Sequence, residues 1–165
     1  MEELLNDFKG KLENELELDL SEGIKFDGNF KITKNGKLDL SELREDIKKH
    51  FQVKSIKKVQ GIYKIYIENE LFYIGISKSS IFSRLKRHYT KYEKSLSAKG
   101  PKRYGFFGEL VNPKKKVTIE IIRIEDGNLE YLLLIEELMT LSEKPVYKDN
   151  LNNEITVNKN ESLDS

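Results

Sequence analysis

The stretch GIYKIYIENELFYIG, residues 61–75, does most to limit what this chain can fold into. Two runs rich in β-branched and aromatic residues flank a polar ENE, which reads as two strands joined in a hairpin. Side chains alternate faces along a strand. Tyr63, Ile65 and Ile67 therefore share one face of the first strand, and Leu71, Tyr73 and Gly75 share one face of the second. A three-residue loop, Glu68-Asn69-Glu70, pairs Ile67 with Leu71, Ile65 with Tyr73 and Tyr63 with Gly75. Both tyrosines then project from one face. A two-residue loop, with Glu68 opposite Leu71, puts them on opposite faces. The three-residue loop is expected, because such loops are common and Asn69 tolerates left-handed backbone. Gly75 then faces Tyr63 and leaves space beside its phenol. On pattern alone, two such tyrosines are ordinary sheet aromatics.

Around this hairpin the chain alternates helical and extended patterns. Leu4, Leu5, Phe8, Leu12 and Leu16 recur at helical spacing, so residues 2–17 read as an amphipathic helix. Asp27-Gly28 and Asn35-Gly36 are turn signals between short alternating segments, which predicts a small β-hairpin region. Asp39 or Ser41 can cap a helix with the apolar face Leu40, Leu43, Ile47 and Phe51. After the tyrosine hairpin, SSIFSRLKRHYTKYEKSL reads as a helix capped by Ser79 or Ser80, with the stripe Ile81, Leu85, Tyr89, Tyr92, Leu96. FFGEL suits one helical turn, and KKKVTIEIIRI a strand. LEYLLLIEELMTL suits a helix closed from outside by Pro145. A boundary near residue 55 divides an N-terminal helix/hairpin/helix extension, 1–55, from a unit over 56–150. Residues 151–165 read as a polar tail.

Composition excludes several chemistries. The 165 residues contain no Cys, which rules out disulfides, Cys-ligated zinc and thiol catalysis. With two histidines, a metal must be held mainly by oxygen, which suits a hard ion such as Mg²⁺. The start is acidic and no stretch approaches the ~20 apolar residues of a membrane span, so a cytoplasmic protein without membrane contact is expected. The net charge of +1 hides a strong segregation. Residues 1–46 hold 13 acids and 7 bases, whereas Lys78 to Arg103 hold nine Lys/Arg and one acid. Those nine are Lys78, Arg84, Lys86, Arg87, Lys91, Lys94, Lys99, Lys102 and Arg103. Such a block is either a solvated helix face or a phosphate-binding surface.

Two helical positions stand out. Arg84, His88 and Lys91 are spaced i, i+4, i+7 along one border of the apolar stripe. Glu136 follows Leu129, Leu132 and Leu133 by seven, four and three residues, which puts it in the middle of an apolar face. A carboxylate there needs a cation or a metal ion as partner.

In this order the residues match a known family. From Gly61 to about Asn150 the chain resembles the GIY-YIG nuclease domain. Gly61-Ile62-Tyr63 and Tyr73-Ile74-Gly75 look like its namesake motifs. Arg84 falls where the family carries a helix arginine, and His88 matches a histidine often found one turn later. Glu136, nine residues before Pro145, is like the family's catalytic glutamate. After Pro145-Val146-Tyr147 the family has Asn, and here Lys148 stands, with Asn150 two residues on. Lys64 is a further candidate beside Asn150.

The resemblance implies an α+β fold, a small three-stranded antiparallel sheet flanked by helices. It also implies Mg²⁺- or Mn²⁺-dependent DNA hydrolysis with a single ion on Glu136. Tyr63 would act as general base or water orienter, Tyr73 and His88 would assist, and Arg84 would hold the phosphate. Double-stranded DNA is the expected partner, tracked by the Lys/Arg block. A restriction or mobile-element role suits so short a chain, and cutting both strands of a palindrome would call for a homodimer or paired nicking. Two other readings stay open: a non-cleaving nucleic-acid-binding module on the same fold, and a nuclease acting on RNA.

Overall fold

The structure is a computed structural model, and it describes residues 2–17, 19–20, 23–28, 30–78, 81–97 and 107–148. In chain order the elements are helix α1 (Glu2–Leu16), strands β1 (Ile24–Asp27), β2 (Lys31–Ile32) and β3 (Leu38–Asp39), and helix α2 (Ser41–Phe51). Strands β4 (Gly61–Ile67) and β5 (Glu70–Ser77) follow, then helix α3 (Ile81–Ser97) and the one-turn helix α4 (Phe107–Leu110). Strand β6 (Val117–Arg123), helix α5 (Leu132–Glu143) and strand β7 (Tyr147–Lys148) complete the order. Among the described residues no helix is long and apolar enough to cross a membrane.

The class is α+β, with a small sheet flanked by helices. The three expected strands form its centre in the order β6-β4-β5, all antiparallel. Two short strands widen it. β1 pairs antiparallel with β6 on one edge, and β7 pairs parallel with β5 on the other. The extension is therefore joined to the sheet through β1. The expected β-hairpin region forms at the Asn35-Gly36 turn, which joins β2 to β3, while Ile24–Asp27, ahead of the other turn signal, pairs with β6 instead.

Each face of the sheet covers its own core. On the front lie Tyr63, Ile65 and Tyr73 with Leu43 and Ile47 of α2 and Ile81, Phe82 and Leu85 of α3. On the back lie Ile62, Ile74 and Ile122 with Leu132, Ile135, Leu138 and Met139 of α5 and Leu12 and Leu16 of α1. Strand alternation produces this division: Ile62 and Tyr63, or Tyr73 and Ile74, are neighbours in sequence and face opposite cores. Leu4 and Phe8, at the other end of the α1 stripe, are exposed. α2 begins at Ser41, but Leu40, not Asp39 or Ser41, holds the cap position and no side chain caps the helix; Asp39 Oδ1 accepts from the Ser41 N–H at 2.9 Å, just outside it. Ser79 and Ser80 lie outside the described residues.

Candidate active site

The tyrosine hairpin reaches its expected register by an unexpected route. Its turn holds two residues, Glu68 and Asn69, not three, and Ile67 pairs with Glu70. Both turn residues have positive φ, 51° and 67°, the backbone of a tight hairpin turn. A glutamate is costly there. The neighbouring strand holds it, since Glu68 N–H donates to the Lys116 carbonyl at 2.8 Å. Such a turn alone would put the tyrosines on opposite faces. A β-bulge corrects this: Tyr66 pairs with Leu71 and Ile65 with Tyr73, so Phe72 is the extra residue. Beyond the bulge, Tyr63 stands opposite Gly75 as expected. Leu71, expected on the tyrosine face, packs into the back core, and Phe72 takes the front.

The two glycines of the motifs have distinct reasons. Gly61 has φ +144°, and a Cβ there would lie 2.1 Å from the Ile122 carbonyl oxygen. At Gly75 a Cβ would meet the Tyr73 ring, with Cε1 at 2.7 Å and the hydroxyl at 2.8 Å. The space expected beside Tyr63 is thus filled by the second phenol. Tyr73 lies along its own strand over Gly75, the residue opposite Tyr63. Both tyrosines are almost fully buried. The Tyr63 hydroxyl donates to the Val59 carbonyl at 2.9 Å, and burial pushes the phenol well above its ordinary pKa. One step further along the same face, Ser77 is buried, and its hydroxyl has no hydrogen-bond partner among the described residues. Sequence reasoning missed Ser77, though the alternation Tyr73, Gly75, Ser77 points to it.

Helix α3 packs on this face. His88 was expected at the rim and is instead fully buried, while Leu96, expected in the stripe, is 49% exposed. The buried face is Ile81, Phe82, Leu85, His88 and Tyr89, turned toward the start of the helix. Arg84 sits half-buried on its border, with Nε enclosed. Arg84, Arg87, Lys91 and Lys94 recur on one side of α3, and the last three are exposed. Lys78 and Lys86 are exposed as well. Lys86 lies on another side of the helix, where its charge helps hold the Asp39 carboxyl below its usual range, after the Ser41 hydrogen bonds that dominate that shift. Lys99, Lys102, Arg103 and Asn150 lie outside the described residues.

Glu136 lies across the sheet. It belongs to α5, on the back, and is half-buried with Oε2 enclosed. Its surroundings differ from the expected leucine stripe. The buried line is Leu132, Ile135, Leu138 and Met139, while Leu133 is 63% exposed. Glu136 therefore borders the apolar face instead of centring it. A leucine run this dense is apolar on several sides, so spacing alone could not choose among them. Lys64 is buried at 3% exposure and paired with Glu143, so it offers no charge to a ligand at the surface. Among the described residues no three His, Asp or Glu cluster as a metal site.

No family model and no curated protein matches this sequence. Among solved structures, a mutant of bacteriophage T4 EndoII is similar at a TM-score of 0.47 and 17% identity, covering 83% of this chain and 96% of that one. A likeness at that level carries nothing about chemistry.

Proposed function

We propose that this chain is a metal-dependent endonuclease that hydrolyses DNA phosphodiester bonds. The observation that carries the reading is the shared face of Tyr63 and Tyr73, under the helix that bears Arg84 and His88. In-line displacement at phosphorus needs an oriented water and neutralised charge on the phosphoryl oxygens, while the bond to the leaving oxygen breaks. The Tyr63 hydroxyl donates a hydrogen bond to the Val59 carbonyl. Its oxygen lone pairs are then acceptors for the attacking water. The raised pKa opposes a phenolate, so Tyr63 orients the water and His88, on the buried face of α3, takes the proton. Arg84 neutralises a non-bridging phosphate oxygen with a planar fork that lysine cannot copy. Tyr73 holds the phosphate in line.

The donor set fits a single hard ion. One half-buried carboxylate, Glu136, suits Mg²⁺, which retains waters and takes one or two carboxylates together with substrate phosphate. When bound, such an ion supplies Lewis-acid neutralisation of the phosphoryl charge. Glu136 and Arg84 belong to helices on opposite faces, so the route between them is the outer edge of β5. There β7 covers only Tyr73 and Ile74, and among the described residues no strand covers Gly75–Ser77.

The engagement of the Tyr63 hydroxyl by backbone favours a second reading: a non-cleaving nucleic-acid-binding module. Digestion of varied DNA with Mg²⁺, followed by sequencing of the ends, separates the two. The nuclease reading expects cut ends that EDTA abolishes. Intact DNA, bound equally with and without EDTA, would establish the binding module instead.

A further inference from the structure

We propose that the half-buried ion pair between Lys64 and Glu143 positions Glu136 relative to Tyr63, tying together two halves of the site that lie on opposite faces of one sheet. The inference rests on the nuclease reading for its consequence, though not for its geometry. Lys64 follows Tyr63 in β4, and alternation sends the two side chains to opposite faces. Lys64 Nζ lies 2.7 and 2.9 Å from the two carboxylate oxygens of Glu143, the last residue of α5. The lysine side chain is 4% exposed and the glutamate 32%. Glu136 stands seven residues before Glu143, two helical turns, so both project from the same side of α5. A contact that fixes Glu143 on β4 therefore fixes the rotation and height of Glu136.

The apolar contacts of α5 hold the helix to the sheet without fixing a direction. Leu132, Ile135, Leu138 and Met139 rest on Ile62, Ile74 and Ile122, and such contacts are non-directional. Nor is the pair explained as a source of stability, since the desolvation of Lys64 offsets much of the attraction. Setting the register of packed elements is the best-attested use of such a pair. The surroundings also direct Lys64 to one partner. Glu120, directly across the ladder, has both oxygens engaged: Oε1 accepts from the Tyr66 hydroxyl at 2.7 Å and Oε2 from the Gly23 N–H at 2.9 Å.

Lys64→Met and Glu143→Gln test the proposal; the glutamine retains an acceptor for Lys64 if the first variant folds poorly. Both are compared with the native protein in amide hydrogen exchange of α5, in DNA binding in EDTA, and in the Mg²⁺ concentration that half-saturates DNA nicking. Exchange of α5 should quicken and binding in EDTA should stay unchanged, because the basic side of α3 is untouched. The Mg²⁺ midpoint should rise about tenfold or more. A folded variant that nicks with an unchanged Mg²⁺ midpoint overturns the positioning role, whatever its melting temperature. If the native protein does not cut DNA, the nuclease reading fails separately, and α5 exchange still decides the tie: unchanged exchange overturns it.

Discussion

The two faces of the central sheet are built on different principles. The front gathers hydroxyl groups by removing side chains: Gly75 leaves the space in which the Tyr73 ring lies, opposite Tyr63. The back packs α5 through Leu132, Ile135, Leu138 and Met139 and adds charge to that apolar contact, Lys64 pairing with Glu143 while Glu120 accepts from Tyr66. The front is thus sensitive to added atoms, and the back to lost charges. Residues of the candidate site come from both, which makes the sheet the rigid wall through which the two must agree.

The largest break in this contrast should come from Gly61→Ala. The new Cβ meets the Ile122 carbonyl, and φ of +144° is closed to alanine. A loss of about 3 kcal/mol or more is expected, seen as a large drop in the urea midpoint. Gly75→Ala should cost less, roughly 1–3 kcal/mol, because the Tyr73 ring can shift at the price of overpacking. That shift should also lower nicking in protein that is still folded, whereas an equal cost without loss of nicking would detach Tyr73 from the chemistry.

The smallest effect is one of pH, and both faces contribute. Burial raises the pKa of Tyr63 on the front. On the back, burial followed by the Glu120 hydrogen bond and the charges of Glu120 and Glu143 raises that of Tyr66. A raised folded-state pKa favours the protonated native form. Stability from this source is complete below the unfolded tyrosine pKa of about 10 and falls as pH rises above it. Urea melts from pH 8 to 11 should show that fall, and Tyr63→Phe and Tyr66→Phe should each flatten it.

Much of this was legible in the sequence because the signals were local. Alternation in GIYKIYI and LFYIGI gave the strands and the face shared by Tyr63 and Tyr73. The stripes gave α2 and the start of α3. The hairpin turn was misjudged for a non-local reason: Glu68 tolerates positive φ because Lys116, 48 residues away, holds its amide, and the bulge at Phe72 then restores the phase. The pairing of β1 with β6 was hidden likewise, since two-sided short strands do not name their partners. His88 was placed one border too far out because the end of α3 lifts away from the core. Lys64 stood only as a further candidate with no assigned role, since nothing near it in sequence announces Glu143.

Plasmid nicking by Glu136→Gln, measured beside DNA binding in EDTA, tests the central claim most directly. The substitution keeps size and hydrogen bonding but removes the charge that a hard ion requires. If one site is assembled from both faces, nicking should fall on the order of a hundredfold or more while binding is unchanged. Nicking at the native rate by folded Glu136→Gln would contradict it, and would confine any chemistry to the tyrosine face.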